Sequence, residues 1–177
     1  MDELPETHFS VFLLRRSCQK DVIFRGDSRT MNDDDIRNSI EPELRDELFE
    51  IVKKVQSAPY ARYNDIHVVS VKMDEVRTKM CLDESKMNSI GFAHGAAVFA
   101  IADHTFGFAA NLRNESQIVL SSNIVYHRPC FGKELTAVSS RISDTNTVST
   151  YEIKIYCDSK HIATATFIGF KMKDRLK

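Results

Sequence analysis

Residues 88–112, NSIGFAHGAAVFAIADHTFGFAANL, constrain this chain more than any other stretch. From Gly95 onward the run is apolar, rich in Ala and Phe and long enough for a helix, with one acid, Asp103, near its middle. A helix that is apolar on every side is normally buried. A carboxylate two turns inside such a helix loses hydration, which proteins rarely tolerate unless the group is paired or used in chemistry. His94 and Gly95 stand where the helix should begin, and free backbone N–H groups and the helix dipole there favour negative charge. The segment is nearly long enough to cross a bilayer. Asp103, His104 and Thr105 at its centre, with no second apolar span to shelter them, favour a water-soluble core helix instead.

Composition excludes several classes. A chain of 177 residues suits one domain with a real core. A formal net charge of −1 creates no global field for nucleic acid or an anionic membrane, so neither is expected as a partner. The N-terminus, MDELPETHF, has no basic region leading into an apolar run and does not read as a signal peptide, so a cytoplasmic protein is expected. Cys18, Cys81, Cys130 and Cys157 lie far apart with no C-x-x-C. The expectation is small apolar residues, neither a zinc site nor a disulfide framework. The glycines form neither G-x-G-x-x-G nor a Walker A loop.

Along the chain, residues 1–40 read as an N-terminal extension, with HFSVFLLRR and DVIFRG pairing as a hairpin around Ser17–Lys20 and RGDSRTMNDDD as a polar loop. Residues 41–173 read as the main domain. EPELRDELFEIVKKVQ (41–56) is an amphipathic helix with Leu44, Leu48, Ile51 and Val52 on one face, Pro42 near its start, and Ser57-Ala58-Pro59 ending it. From Tyr63 the period becomes two. Asp65–Lys72 and Glu75–Leu82 form a hairpin, Asp83–Asn88 connects to the central helix, and four strands follow: Gln117–His127, Glu134–Ser143, Val148–Cys157 and His161–Lys171. Tyr151, Ile153 and Ile155 alternate with Glu152 and Lys154. Short turns between consecutive strands imply antiparallel pairing. The fold class is α+β, a long antiparallel sheet wrapped around one central buried helix.

With these residues the layout resembles the hotdog fold, and more narrowly the small acyl-CoA thioesterases of the phenylacetate-pathway (PaaI) type. That family's motif is Asn, five residues, His-Gly-Gly, then Asp and an aromatic-rich helix, and Asn88, His94, Gly95 and Asp103 occupy its positions. IVYHRPCFGKELTA resembles the family's next strand, with Arg128, Pro129, Gly132, Leu135 and Ala137 matching its R-P-x-x-G-x-x-L-x-A signature. The resemblance covers roughly residues 45–172. One departure is Ala96 in place of the second glycine, which keeps the N–H but narrows the approach to a thioester.

The resemblance implies hydrolysis of acyl-CoA to free acid and coenzyme A, with no cofactor beyond the substrate's own CoA. A backbone donor at a helix start is worth about 10²–10³ in rate, and Gly95 is the expected donor, since glycine lets a substrate approach closely. Asp103 is the expected base that activates water, or the nucleophile. By resemblance Asn88 orients the thioester or the water, and His94 shapes the loop or bonds the substrate. Arg128 and Lys133, flanking Pro129–Gly132, are expected to hold the CoA phosphates, with Lys171 and Lys173 as weaker candidates. Phe99 and Ala96 are expected beside the acyl group. Ser121, Ser122 and Asn123 are expected along the channel strand. His94, Asp103 and His104 lack zinc-ligand spacing, so no metal is expected.

His94 and Asp103 are nine residues apart, about 13 Å on one helix, so one carbonyl cannot touch both. A donor and an acid acting together must come from two helices, which two chains around a two-fold axis supply. A dimer is therefore expected, and the resemblance implies such dimers with active sites at their interface, or a dimer of dimers. Two other functions fit the fold: a non-catalytic acyl-CoA sensor, disfavoured as a DNA regulator by Asp33-Asp34-Asp35 in the N-terminal segment, and an enoyl-CoA hydratase.

Overall fold

The computed structural model describes residues 31–113 and 116–172. Their helices are α1 (Asp33–Ser39), α2 (Arg45–Gln56), α3 (Pro59–Tyr63) and α4 (Gly95–Asn111). Their strands are β1 (Ile66–Val71), β2 (Val76–Cys81), β3 (Gln117–Tyr126), β4 (Glu134–Asp144), β5 (Val148–Cys157) and β6 (Lys160–Lys171). The strands form one antiparallel sheet in the order β1-β2-β4-β5-β6-β3. The chain thus leaves the sheet after β2 to build α4, lays β3 at the far edge, and returns to the middle with β4. The expected hairpin at Ser17–Lys20 lies outside the described residues.

Alternation on the strands sets the inner face. Ser149, Tyr151, Ile153, Ile155 and Cys157 of β5 are buried, and α4 packs across β4, β2, β5, β3 and β6. Phe106 of α4 stacks on Phe167 of β6, centroids 5.0 Å apart. Thr105 bonds the Ile101 carbonyl and meets the Thr78 hydroxyl of β2 at 2.6 Å, tying helix to sheet in the dry interior.

The helix is not apolar all round in its surroundings. Ala96, Phe99, Asp103, Gly107 and Asn111 recur at helical spacing and stay exposed or half-buried. They form one stripe that the chain's own sheet does not cover. The edge strand β3 shows the same condition. Ile118, Val119, Leu120, Val125 and Tyr126 are all exposed.

One local expectation is corrected and another extended. The described end of the polar stretch, residues 31–35, is a helix start and not a loop: Asn32 accepts the Asp35 N–H at 2.8 Å as N-cap, and Asp33–Asp35 sit in the first turn, where the dipole favours acids. Ser57 ends α2 as its C-cap, as expected, and Pro59 does more than stop that helix. It opens α3, at a position whose N–H has no helical partner. The cysteine expectation is also corrected. Cys130 and Cys157 are joined by a disulfide, S–S 2.02 Å and Cα–Cα 5.9 Å. They are 27 residues apart in sequence, and the loop after β3 meets the end of β5 only once the sheet is assembled.

Gln56 shows why a polar residue is buried at the other edge. Its side chain donates to the Ile66 carbonyl at 3.0 Å and accepts the Val68 N–H at 2.8 Å, occupying part of the unpaired edge of β1.

Charges gather at the end of the sheet holding the β4–β5 turn. Lys171 reaches Asp144 at 2.6 Å, Arg141 reaches Asp144 at 3.1 Å and Asp74 at 2.7 Å, and Arg113 reaches Asp74 at 3.1 Å. The hydrogen bond from Lys171 leads in holding the Asp144 carboxyl below its ordinary value, against the opposing effect of burial. A depressed carboxylate contributes stability above its unfolded pKa and loses it as pH falls through the folded pKa. Melting temperature should therefore fall more steeply below about pH 4 in the wild type than in Asp144→Asn. Parallel melting curves at stepped acid pH check this.

Candidate functional site at the start of the central helix

The loop before α4 is built to hold one conformation. Asp83 caps a short turn over Glu84–Lys86 and pairs with the Lys86 ammonium at 2.7 Å. Lys86 is only 8% exposed, and its carbonyl accepts the His94 N–H at 2.8 Å. The Asn88 side-chain oxygen accepts from Ile90 and Phe92 N–H at 3.1 and 3.0 Å. Gly91 takes the left-handed conformation that this turn requires, φ 82°. Asn88 is thus the loop former, and its amide nitrogen is what remains for a ligand. It also lines the cleft described below.

At the helix start most donors are taken. Ala97 and Val98 N–H bond the His94 carbonyl at 2.9 and 3.2 Å. The Ala96 N–H donates to His94 Nδ1 at 3.0 Å. A backbone N–H must donate, so Nδ1 is the acceptor and the neutral ring carries its proton on Nε2. Among the described residues the Gly95 N–H has no protein acceptor, and it stands at the positive end of α4. Gly95 does not owe its identity to a crowded backbone on the protein side. A methyl there would meet the Tyr126 hydroxyl at 3.5 Å, an ordinary contact.

A cleft of about 610 Å³ opens against this helix start, lined by Asn88, Gly95, Ala96, Tyr126, Arg128 and Pro129 among others. A smaller cleft of about 220 Å³ continues from it and shares Arg128, Pro129, Cys130 and Ile162. It adds Lys160, Asp158 and the exposed ring of Phe131. The wall between them is clamped. The disulfide joins it to β5, the Cys130 carbonyl accepts the Ala93 N–H at 3.0 Å, and Asp158 accepts the Lys133 and Glu134 N–H groups at 3.2 Å. Gly132 lies so close beneath that a Cβ would sit 2.3 Å from the Asp158 carboxylate and 2.6 Å from the Cys157 sulfur.

Other expected residues fall elsewhere. Asp103 lies about 12 Å along α4 from Gly95 and lines neither cleft. Burial alone raises its pKa above the ordinary carboxylate value. Beside it, burial lowers the His104 pKa to about 4, so that ring is neutral near pH 7. Phe99 packs toward Phe167, centroids 5.8 Å apart, away from the cleft lining. Ser121, Ser122 and Asn123 are exposed on the edge strand opposite Ile168, Phe167 and Thr166, and line neither cleft within one chain. The Lys133 backbone N–H is taken by Asp158, and its side chain lines neither cleft. Lys171 is paired with Asp144 at the end of β6 far from Arg128. Lys173 lies outside the described residues. Sequence reading missed Tyr126, His127, Phe131, Lys160 and Ile162, which tertiary contact alone brings to the clefts. Tyr126 had one signal: it is two residues before the Arg-Pro pair, at the end of the same strand.

Comparison with known proteins agrees with this architecture. Residues 90–164 match the thioesterase superfamily. An esterase-named protein of Deinococcus radiodurans is 24% identical over 114 residues, covering 64% of this chain and 78% of that one. The PaaI protein of the Escherichia coli phenylacetic acid degradation operon superposes with a TM-score of 0.64 at 21% identity, covering 67% of this chain and 88% of that one. A Haemophilus influenzae thioesterase gives 0.66 at 18% identity over 72% and 94%. A hypothetical thioesterase of Streptococcus pneumoniae, solved with coenzyme A, gives 0.57 at 22% identity over 62% and 88%. At such identities these structures speak to the fold. The hotdog architecture, an antiparallel sheet with a central helix packed against it, is the one observed, and the resemblance to thioesterases is borne out.

Proposed function

We propose that this chain, matched to the thioesterase superfamily over residues 90–164, hydrolyses acyl-CoA thioesters at sites shared between two copies of itself. The observation that carries the reading is the division of the chemistry along α4. Gly95, whose N–H has no acceptor among the described residues, lines a cleft, while the desolvated acid sits about 12 Å away on the stripe that the chain's own sheet leaves uncovered. A second copy in antiparallel orientation brings the acid of one helix to the donor of the other and makes two equal sites. The exposed apolar residues of β3, an unpaired sheet edge, are suited to that contact.

In this arrangement the thioester carbonyl accepts the Gly95 N–H, and negative charge developing on it is stabilised by the helix start. Asp103 of the other copy takes a proton from water as its oxygen bonds to the carbonyl carbon, and the C–S bond then breaks with CoA leaving as the thiol on receiving that proton; or the carboxylate attacks the carbonyl itself, expels the CoA thiolate, which takes a proton from water, and leaves an anhydride that water opens to the free acid. The Asn88 amide orients the reacting group. Arg128 and Lys160, rather than Lys133, face the cleft that suits the phosphates of the nucleotide end, with Phe131 offering a ring face. Ser121–Asn123 would line the channel only across the seam. A cytoplasmic setting fits this substrate. The Cys130–Cys157 bridge, a kind of bond uncommon in reducing compartments, stands against it.

The test is a screen of short, medium, long and aryl acyl-CoAs with a thiol reagent. Release of free CoA thiol is the expected result. Hydration of crotonyl-CoA without thiol release would assign a hydratase instead. Tight CoA binding with no turnover of any thioester would assign a sensor.

A further inference from the structure

The edge strand touches the helix start through one side chain. Tyr126, the last residue of β3, donates its hydroxyl to the Gly95 carbonyl at 3.1 Å, and its ring carbons would stand 3.6 and 3.8 Å from a Cβ placed on Gly95. That carbonyl and the Ala96 N–H belong to one peptide plane, which is planar and turns as a unit. The plane is therefore held at both ends, by Tyr126 at the oxygen and by His94 Nδ1 at the nitrogen. The first turn of a helix is where backbone fraying is easiest, because its N–H groups lack intrahelical partners. The vacant Gly95 N–H belongs to the preceding His94–Gly95 peptide, whose carbonyl accepts from Ala97 and Val98, and the Gly95 Cα joins it to the plane held by Tyr126, so the two planes together set its direction.

We propose that Tyr126 is a positioning residue for thioester hydrolysis, acting through the Gly95–Ala96 peptide to aim the Gly95 N–H into the cleft. The proposal rests on the hydrolase reading given above. An oxyanion donor gains its effect from being preorganised, so a loosened donor weakens transition-state stabilisation more than ground-state binding. The Tyr126 ring also lines the cleft, and removing only its hydroxyl separates the two roles.

Tyr126→Phe keeps the ring and its packing and deletes the donated proton. With the acyl-CoA that the wild type turns over best, kcat should fall about fivefold with KM unchanged, the size of effect a single hydrogen bond gives. Amide hydrogen exchange at Ala96–Phe99 should quicken by a similar factor, while exchange in β4 and β5 stays as it was. An unchanged kcat overturns the proposal, as does a raised KM at constant kcat, which would make the hydroxyl a simple substrate contact. If the wild type hydrolyses no acyl-CoA, the hydrolase reading fails. The exchange comparison then still decides whether Tyr126 holds the helix start, and unchanged exchange at Ala96–Phe99 overturns that.

Discussion

Asp103→Asn should lower thioester hydrolysis by about 10³-fold or more, the range expected when a positioned base is removed, and should leave the fold intact. Asn has the same shape, and the described structure gives the Asp103 carboxylate no hydrogen bond or ion pair that the change would break. Stability should move the other way. Burial raises the Asp103 pKa, so between the unfolded and folded values the native state binds more protons than the unfolded one. Stability contributed by this group is therefore lost as pH rises through that window, and at neutral pH the charged form opposes folding. The neutral Asn should melt at a slightly higher temperature than the wild type at pH 7, and at nearly the same temperature near pH 3. Activity of the wild type should show an acid limb above the ordinary carboxylate value of 3.8, because the ionised form does the work. Steady-state kinetics paired with melting curves read both effects. Normal turnover in Asp103→Asn removes the residue from the mechanism.

Leu120→Glu combined with Val125→Glu should yield a folded, inactive monomer. Both residues are exposed on the edge strand, 62% and 52%, so the substitutions leave no hole in the chain's own core. Across a two-fold axis each charge would face the same strand of the second copy, and charged side chains on a sheet edge block strand addition. Sedimentation should report the mass of one chain, 20.2 kDa, where the wild type reports a multiple. Hydrolysis should fall at least about 10²-fold, since separated chains leave each helix start without its acid. An active wild-type monomer, or a variant that separates yet keeps its rate, would show that one chain holds the whole site.

Much of the fold was legible because it rests on local periodicity. The strands alternate over Val148–Cys157 and its neighbours because one face packs on α4 and the other does not. α2 was legible from Leu48 and Val52, which are buried where the 3.6-residue period puts them. α1 was missed because its signal is capping at Asn32 and acids in one turn, in a stretch with hardly any apolar pattern. In the site, Asn88, His94 and Gly95 were legible as a local motif; Asn88 and Gly95 line the main cleft, and His94 caps the helix that begins there. Phe99 and Ser121–Asn123 were not correctly placed, because which way a side chain faces at a helix stripe or an open edge depends on what covers it.

Residue order alone thus determined the strands, the long helix, the acid within it and the distance between that acid and the helix start, since each follows from fixed rises and periods. Tertiary structure alone decided that Cys130 meets Cys157, that Tyr126 holds Gly95, that Lys160 rather than Lys133 faces the clefts, and that one stripe of the helix stays uncovered. The reason is physical: these contacts join residues tens of positions apart through the strand order, which brings β3 beside β6, and no local pattern encodes such a neighbour.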